Sequence, residues 1–465
     1  MDGAIKCMDA HTLGKTMRVI AVVLLSLGFA LPAWAKVSPE EAAKLKTVLT
    51  PIGAEKAGNS EGTIPAWTGG LKTSPPCYKG APNRLCDPFP DDKALFTITP
   101  QNLDKFKDRL CAGQQAMFRK YPDTYKLNVY QTRRTAGYSD VVYAATYKNA
   151  LNCELISNGE GLSGCILGTP FPIPKSGVEP VWNHKLRYRG EGGRRWNNQA
   201  AVTTSGDYNL VKLREDVRFA YAAKGATPES LNNVVIYFLQ VITQPPRLAG
   251  QITLVHETMD QVKEPRRAWQ YNPGQRRLRR APNVGYDNPG NGADGLRTND
   301  QTDAYNGATD RYTWKIVGKK EMYIPYNSYR IHSDQHKIRD IVRKGHINQD
   351  LPRYELHRVW VVEGTVKPTT SHIYAKRMFY FDEDSWQISL VDIYDRRGEL
   401  WRWQEAHELQ AYDQPFPGSA METIYDLISN RYLAQAMNNE DDETSQQNFD
   451  ASYFDPANVQ KQATK

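Results

Sequence analysis

The chain has 465 residues and a net charge of +7 at pH 7, with 40% hydrophobic and 24% charged residues. Beyond residue 35 no stretch is apolar for the roughly 20 residues that a membrane-spanning helix needs, which argues against an integral helical membrane protein. No internal period of roughly 20–50 residues recurs, which argues against a propeller or a solenoid.

The positive charge has two interpretations. It would suit binding to an anionic lipid, to lipopolysaccharide or to an acidic partner surface. It would equally suit a mild solubility bias, because net charge bears on association and not on fold.

The N-terminal segment 17–35 has the parts of a secretory signal in their usual order. It has a basic start, an apolar core over residues 19–31 and an A-x-A motif that ends at Ala35. A buried core helix is the alternative. If the segment is a signal, Met17 would be the natural start, with residues 1–16 an extension ahead of it. We expect cleavage after Ala35 and a soluble protein in the periplasm, where nucleic acid is scarce and is not an expected partner.

Export would permit disulfides, and the cysteines after the predicted cleavage site are spaced for two local ones. Cys77 and Cys86 bracket a short loop rich in proline, glycine and asparagine, and Cys153 and Cys165 bracket another short loop. Cys111 is left over, and we expect it to be a buried free thiol. The spacing does not match a paired C-x-x-C zinc or redox site.

The first mature region, residues 36–125, is predicted to hold helices and an extended, disulfide-stapled stretch. The run from Ser38 to Glu41 is a capping box with proline at the first helical position, which predicts a short helix. Residues 51–98 are rich in glycine, proline and asparagine and are expected to be extended. A second helix is predicted from Thr99.

Residues 126–418 have the composition and turn spacing of strands, and we predict an open β-barrel there. A meander over residues 353–403 is the clearest part, because its connections are too short for crossover helices. A capping box at Ser419 predicts a C-terminal helix within residues 419–465. After Met437 we expect a polar, poorly ordered tail. The shorter predicted strands cover residues 126–131, 141–146, 182–189, 200–204, 217–222, 234–243, 250–259, 268–271 and 276–280.

Residues 266–280 carry the most distinctive pattern in the chain, two short strands with aromatic residues on one and arginines on both. The run from Asn272 to Gln275 supplies the turn, in which Pro273 presets φ and Gly274 would accept a positive φ. Such a hairpin could bind nucleic acid, face lipid or be a solvated surface. The predicted export weighs against nucleic acid.

The sequence holds no G-x-S-x-G elbow, no H-E-x-x-H motif and no P-loop. The run from Gly290 to Gly295 matches G-x-G-x-x-G, but no βαβ unit surrounds it, so a dinucleotide site is not predicted. The aspartates nearby lack EF-hand spacing, which favours a solvated loop over a calcium loop. His332 and His336 form a weak metal pattern on a short predicted helix, and His357 and His372 are expected to pair across neighbouring strands. We therefore predict no enzyme, no metal and no cofactor.

The segment 263–273, Lys-Glu-Pro-Arg-Arg-Ala-Trp-Gln-Tyr-Asn-Pro, resembles the strand–turn segment of the LolA/LolB superfamily. These are the periplasmic lipoprotein carrier and its outer-membrane acceptor. With the arginine-rich arm that follows, the run from Tyr312 to Trp314 and the run from Tyr374 to Tyr380, the segment is similar to a larger Gram-negative family. That family is described only as outer-membrane lipoprotein-sorting-like. In the carriers an arginine precedes the proline and takes part in lipoprotein handling, whereas this chain has Glu264 there.

The resemblance implies a mainly β fold, a curved, unclosed antiparallel barrel with helices on its concave face or at its ends. A half-barrel has too few side chains to fill its own concave face, so it would leave an apolar cavity. The implied partners are a lipid or other hydrophobic molecule, an inner-membrane efflux-type transporter and an outer-membrane protein.

The hairpin supplies the predicted ligand-binding residues. Its apolar side chains would line or border the cavity, and its arginines would meet an anionic headgroup or a partner. They could equally be ordinary core and a solvated surface. The predicted residues are Trp269, Tyr271, Arg276, Arg277, Leu278 and Arg279.

Three functions remain open at this point. The first is non-enzymatic binding or transfer of a lipid or other hydrophobic cargo between envelope components in the periplasm. The second is a structural scaffold of an envelope transport complex that has no ligand of its own. The third, an enzyme acting on a lipid or sterol, would need acid and base groups with shifted pKa values at a pocket mouth.

Overall fold

The computed structural model describes residues 37–80, 84–281, 286–442 and 445–463. The predicted signal and its cleavage site lie outside the described residues. The helices are α1 (Pro39–Ala43), α2 (Ala112–Lys120), α3 (Asp140–Asn152), α4 (Val178–Leu186), α5 (Tyr329–His332), α6 (Ile338–Ile341) and α7 (Pro456–Ala463).

Strands make up most of the regular structure. The strands up to residue 244 are β1 (Phe96–Ile98), β2 (Leu127–Val129), β3 (Glu154–Ile156), β4 (Gly161–Ser163), β5 (Gly192–Trp196), β6 (Asn198–Val202), β7 (Tyr208–Phe219) and β8 (Val234–Gln244). Those that follow are β9 (Ile252–Thr258), β10 (Arg267–Asn272), β11 (Arg277–Arg280), β12 (Tyr312–Pro325), β13 (Tyr354–Val366), β14 (Lys376–Asp382), β15 (Ile388–Tyr394), β16 (Leu400–Ala411), β17 (Phe416–Asp426), β18 (Arg431–Met437) and β19 (Ser445–Gln446).

Within the part of the chain that the structure describes, the strands form one 17-stranded sheet and a separate two-stranded ribbon of β3 and β4. The main path is antiparallel and runs β12-β13-β14-β15-β16-β17-β18-β6-β7-β8-β9-β10-β11. Strands β5 and β6 lie in succession beside the long strand β7, β19 pairs with β5, and β2 makes one parallel bridge to β13. Among the described residues no pairing joins β11 to β12, so the curved sheet stays open. The predicted fold class, mainly β with an unclosed antiparallel sheet, is confirmed.

The strands β13–β16 form what we call the filled half of the sheet, because the chain covers both of their faces. On one face, Trp403 shares a core cluster with Met117 of α2. Gly113 permits this close approach, since a Cβ there would lie 2.1 Å from the Trp403 ring. On the other face, Phe381 shares a second cluster with Val181 of α4. Burial of these large side chains against helices leaves no space for a ligand around them, and among the described residues of this half only the C-terminal end of β16 reaches the cavity of the sheet's other half.

The strands β5 and β7–β10 form what we call the cavity half. One of its faces is covered by the C-terminal segment, residues 449–463, whose Phe454 is buried in a cluster with Leu254 and Tyr271. His256 also forms a hydrogen bond through Nε2 to the Phe454 carbonyl at 2.9 Å. The opposite face borders a cavity.

The N-terminal region follows its prediction in part. The capping box forms, and the Ser38 hydroxyl accepts a hydrogen bond from the Glu41 amide at 3.2 Å. The helix predicted from Thr99 begins later than expected. Two 3-10 turns, Leu103–Lys105 and Lys107–Arg109, come before α2.

Two of the predicted strands are helices in the structure. Residues 141–146 belong to α3, whose buried positions include Val142, Thr146 and Asn149, a helical spacing. Residues 182–189 overlap α4, in which every residue is buried. The β-branched and aromatic composition favoured strands. Alternation cannot separate a strand from a helix when all positions are buried.

The C-terminal helix predicted after Ser419 is wrong, because this segment forms β17 and β18, joined by a short turn. Glu422 of the supposed capping box is a buried carboxylate, which accepts hydrogen bonds from the Ala304 amide at 3.1 Å and the Gln435 side chain at 3.0 Å. The expectation of a poorly ordered tail after Met437 is also wrong for its described part, since α7 packs against β10 and β11.

The hairpin of β10 and β11 forms as predicted, with Tyr271 opposite Leu278. Its turn differs from the expectation. Both the Gln275 and the Arg276 amides donate to the Asn272 carbonyl, at 3.1 and 2.9 Å. The positive φ, 49°, falls on Arg276 and not on the glycine.

Both predicted disulfides are present, Cys77–Cys86 and Cys153–Cys165, and Cys111 is a buried free cysteine. Burial raises the pKa of the Cys111 thiol, so this thiol stays protonated and unreactive. Among the described residues, no helix combines the length and apolar character required to cross a membrane.

Candidate ligand-binding cavity

A cavity of about 610 Å³ lies between the cavity half of the sheet and the strands β16 and β17. Helix α4 and the loop over residues 291–306 complete its walls. The volume is within the range of roughly 300–1,000 Å³ that is usual for small-molecule sites.

Apolar side chains form one floor of this cavity, which we call the apolar floor. Because side chains alternate along a strand, every second residue of β7, β8 and β9 faces the cavity. Val217 lies opposite Phe238, which lies opposite Val255. In the next row Phe219 lies opposite Ile236. All of these side chains line the cavity.

A polar row follows the apolar floor along the same strands. Glu215 lies opposite Gln240, and Gln240 lies opposite Thr253. The Gln240 amide donates to the buried Glu215 carboxylate at 2.8 Å, and Arg195 Nε donates to the same carboxylate at 2.7 Å. Asn291 donates to the Thr253 hydroxyl at 2.8 Å, which ties the 291–306 loop to this row. We call this region the polar end of the cavity.

Arg297 lies at the polar end. The Gln199 amide donates to the Asn291 carbonyl at 3.1 Å, and its oxygen accepts from Arg297 at 3.4 Å. Arg297 also donates to the Thr302 hydroxyl at 2.9 Å. Its guanidinium lies over Gly290, where a Cβ would come within 2.7 Å of the Arg297 Cζ. The residue is only 6% exposed, and burial lowers its pKa from the usual value.

Arg297 differs from the neighbouring arginines in its electrostatic partners. Within the described part of the chain, no carboxylate oxygen lies within 4.0 Å of its guanidinium, and its Nε lacks a hydrogen-bond partner. Arg187 and Arg189, in contrast, both pair with Asp303. Glu422, Glu215 and Asp300 favour its charged form from a distance, but the buried guanidinium has no direct ion pair.

Lys185 of α4 is a further buried cation in the lining. Its Nζ donates to the Gly307 carbonyl at 3.0 Å and lies 4.5 Å from the centre of the Trp182 ring. Burial lowers the pKa of Lys185 to about 8, so its charge titrates close to physiological pH.

The wall opposite the apolar floor mixes apolar and acidic groups. It includes Leu409, Phe416 and Glu422. Burial raises the pKa of Glu422, and the negative charge of Asp303 raises it further. In the whole lining basic side chains outnumber acidic ones. They are Lys185, Arg187, Arg189, Arg195, Arg266 and Arg297 against Glu257, Asp303, Asp413 and Glu422.

The hairpin residues predicted to bind a ligand are not among the described residues that line the cavity. Tyr271 is buried under the C-terminal segment, and Trp269 and Leu278 pack beside it. Because the strand alternates, Gln270 is the residue of β10 that faces the cavity. The hairpin arginines point to solvent, and a ligand role for the hairpin stays a prediction that the cavity does not support. These exposed arginines are Arg276, Arg277 and Arg279.

A buried polar cluster in the filled half brings together His357, Asp382 and Asp384, whose potential ligand atoms lie within 4.8 Å of one another. Both oxygens of Asp384 accept hydrogen bonds from Arg134, each at 2.7 Å, which leaves few ligands for a cation. Burial raises the pKa of Asp382 well above its ordinary value, and the nearby Glu408 raises it further. A proton held by the Asp382 carboxyl lowers the negative charge of the cluster, which then needs no metal ion to compensate for it.

The histidine patterns do not form the predicted pairs. His372 bonds to Asp300 at 3.0 Å, and His357 lies in the buried cluster, so these histidines do not pair with each other. His332 ends α5 while His336 lies beyond it, so they do not share a helix face. His332 lines the cavity, and burial lowers its pKa to about 4, which keeps the ring neutral.

The aspartates of the 286–311 loop do not converge on a cation site. Four of the five pair with an arginine, as expected for ion pairs that fix a loop on the sheet, and the fifth, Asp310, accepts a hydrogen bond from the Tyr286 hydroxyl at 2.9 Å. The pairs are Asp287 with Arg311, Asp294 with Arg431, Asp300 with Arg377, and Asp303 with Arg187.

Taken together, the open sheet and the lined cavity define a mainly β protein with a cavity of small-molecule size. Residues 97–460 match the family described as "Protein of unknown function (DUF1329)". An uncharacterised protein of Pseudomonas aeruginosa is 51% identical over 456 residues, which cover 97% of this chain and 100% of that protein. The chain therefore belongs to the DUF1329 family, and the predicted membership of an uncharacterised family is confirmed.

Solved structures are similar to parts of this fold. One is a candidate outer membrane lipoprotein-sorting protein domain from Vibrio parahaemolyticus, 13% identical, which covers 61% of this chain and 98% of that chain with a TM-score of 0.41. Another is a LolA superfamily protein from Nitrosomonas europaea, 12% identical, which covers 61% of this chain and 98% of that chain with a TM-score of 0.36. Similarities at this level carry no argument about function.

The cavity residues were missed at the level of the sequence for a physical reason. Ile236, Phe238 and Gln240 alternate with other residues of β8, but alternation does not tell which face the chain will cover. Arg297 follows the glycine-rich run at residues 290–295, which does not predict a ligand site because no βαβ unit surrounds it. Its proximity to Gly290 is the feature that would have singled it out.

Proposed function

We propose that this protein binds a lipid or another hydrophobic molecule in the cavity, without chemical turnover, and transfers it between components of the cell envelope. The observation that carries the proposal is the apolar floor formed by Val217, Phe219, Ile236, Phe238 and Val255. Burial of apolar surface contributes roughly 25 cal/mol per Å², so an apolar ligand that covers this floor would gain free energy from it.

The sequence supports a periplasmic site of action. The segment that ends at Ala35 has the order of parts expected of a cleaved signal. The disulfides Cys77–Cys86 and Cys153–Cys165 suit an oxidising compartment. Transfer between an inner-membrane transporter and an outer-membrane protein would follow from this location.

The non-enzymatic part of the proposal rests on the engagement of the titratable groups. Lys185 and Glu422 both line the cavity and have shifted pKa values, as an acid–base pair would. However, Lys185 donates to the Gly307 carbonyl, and Glu422 accepts from the Ala304 amide and from Gln435. Side chains that are fixed by such hydrogen bonds are better suited to holding the cavity walls in place than to transferring protons.

The test begins with the protein expressed in a Gram-negative periplasm and purified without detergent. Native mass spectrometry and analysis of the organic extract would look for a stoichiometric lipid, and uptake of a fluorescent lipid would be measured. Val255→Trp places an indole over the apolar floor and should abolish uptake. Val262→Trp is the matched control, because Val262 is 60% exposed on the surface.

The alternative, a scaffold without a ligand, gains support from the filled half, where the chain covers both sheet faces by itself. A protein that carries no lipid and takes up no probe would establish that alternative against the carrier. Equal uptake by wild type and Val255→Trp would show that binding occurs outside the cavity.

A further inference from the structure

We propose that the cargo is an amphiphile with an anionic head, a carboxylate or a phosphate, and that Arg297 and Arg195 hold this head at the polar end of the cavity. The inference rests on the proposed function and adds to it the chemical class of the cargo.

The first step is that the buried Arg297 has no direct ion pair. The residue is only 6% exposed, and its guanidinium donates hydrogen bonds to the neutral oxygens of Thr302 and Gln199. Removal of an arginine from water without a carboxylate partner destabilises a protein unless another interaction compensates for it. An anion bound in the cavity would supply the missing charge through charge-assisted hydrogen bonds.

The second step is that the loop is shaped around this arginine. Gly290 leaves room for the guanidinium, because a Cβ at this position would lie 2.7–3.0 Å from its terminal atoms. The Gly290 amide also donates to the Arg297 carbonyl at 2.9 Å, which closes the loop. The first glycine of the G-x-G-x-x-G run at residues 290–295 therefore provides the space that the Arg297 guanidinium occupies.

The third step places Arg195 at the same end. It shares Glu215 with Gln240, and the row continues through Thr253 to the loop that carries Arg297. Arg195 uses only its Nε in this pair and keeps 41% of its side chain exposed. Its terminal nitrogens therefore remain available to a ligand, next to a carboxylate that the polar row already satisfies.

The fourth step is the position of the apolar floor. Val217, Phe238 and Val255 occupy the row beside Glu215, Gln240 and Thr253, two residues along the same strand in each case. A ligand held by its head at the polar end would therefore lay its tail along this floor. A free inorganic anion would leave the floor empty, which favours an amphiphile.

The experiment compares two fluorescent probes that share one hydrocarbon chain, cis-parinaric acid and the corresponding parinaryl alcohol, by fluorescence titration. The wild type should bind the acid about tenfold more tightly than the alcohol, since a hydrogen bond to a charged group contributes ~1.5 kcal/mol or more. Arg297→Gln should weaken the acid about tenfold and leave the alcohol unchanged. Arg195→Gln, on a different element, should weaken the acid in the same direction.

Arg396→Gln is the matched control, because Arg396 is exposed in the turn between β15 and β16 and its substitution should change neither affinity. Circular dichroism would confirm that each variant is folded, and Arg195→Gln keeps the test decisive if Arg297→Gln does not fold. Inorganic phosphate is the third arm. Phosphate that binds as tightly as the acid would identify an anion site without a tail and overturn the amphiphile.

Equal affinity for acid and alcohol, or an acid affinity that both substitutions leave unchanged, would overturn the inference while uptake and the proposed function stand. Failure of the wild type to bind either probe would contradict the proposed function itself.

Discussion

The filled half and the cavity half of the sheet share one antiparallel architecture but differ in what the chain lays over them. Helix α2 covers one face of the filled half, and α3 and α4 contribute to the core on the other. In the cavity half the C-terminal segment covers one face, and the opposite face lines the cavity. Curvature of the sheet alone therefore does not create the cavity, because helices pack against the same sheet in the filled half and leave no cavity beneath them.

Buried charge follows the same division. In the filled half Asp384 is held by Arg134, and the pKa values of Asp382 and Glu408 are raised so that these carboxyls can stay neutral. In the cavity half Arg297 keeps a charge with neutral partners only. One half neutralises its charges internally, and the other leaves one for a ligand.

The largest expected effect comes from comparing a phenylalanine on the covered face of the cavity half with one on the face that lines the cavity. Phe454→Ala should lower the free energy of unfolding by about 3–5 kcal/mol, because Phe454 is fully buried on the covered face. Phe238→Ala should cost only about 1 kcal/mol, since Phe238 already borders empty space. Urea denaturation measures both, and equal costs would break the distinction between the two faces.

Glu408→Gln tests how the filled half neutralises its charge. Burial raises the pKa of Glu408 to about 8, so the folded protein holds this proton more tightly than the unfolded chain. Wild-type stability should fall as pH rises from about 4.5 to 8, and the variant should lack this fall. At pH 8 the variant should be more stable by ~4 kcal/mol, and near pH 4 the two should agree. Parallel pH profiles in chemical denaturation would contradict this account.

Lys185→Met tests the cation of the cavity half in the opposite sense. The folded pKa of Lys185, about 8, lies below its unfolded value near 10.4, so the unfolded chain holds more protons between these limits. Wild-type stability should therefore rise relative to the variant by ~2 kcal/mol between pH 8 and pH 10.4. The measurement is the difference between the two pH profiles, which cancels the contribution of the tyrosines, since these titrate near pH 10 in the unfolded chain. A constant difference would mean that Lys185 is not buried as a cation.

Arg297→Met should have the smallest effect on stability although it removes a buried side chain. It loses two hydrogen bonds to neutral oxygens but also an unpaired buried charge, so the free energy of unfolding should change by no more than about 1 kcal/mol. The exposed Arg277→Gln should change it by less than about 0.5 kcal/mol. A loss of several kcal/mol in thermal unfolding of Arg297→Met would show that the arginine holds the loop and is not reserved for a ligand.

The sheet was predictable wherever short turns separated strands. The meander over 353–403 and the hairpin over 266–280 form as expected, because their turns determine the connection locally. The segments that became α3, α4, β17 and β18 were not predictable from periodicity. Their apolar residues are buried on more than one side, by elements distant in the sequence.

The candidate site could not be predicted for a related reason. The alternation of β10 correctly puts Trp269 and Tyr271 on one face, but the covering of that face by Phe454 depends on a segment about 180 residues away. Arg297 lay in a loop without periodicity, and only the folded positions of Gly290 and Thr302 show that its charge lacks an acidic partner.

The space that Gly290 leaves for the Arg297 guanidinium has a consequence for other members of the family. The position of the arginine depends on the glycine, since any side chain at 290 would displace the guanidinium at 297. Relatives that bind acidic cargo should keep glycine and arginine at this spacing, and relatives with neutral cargo are free to lose both together. This two-position marker would divide the family by the charge of its ligands before any member is purified.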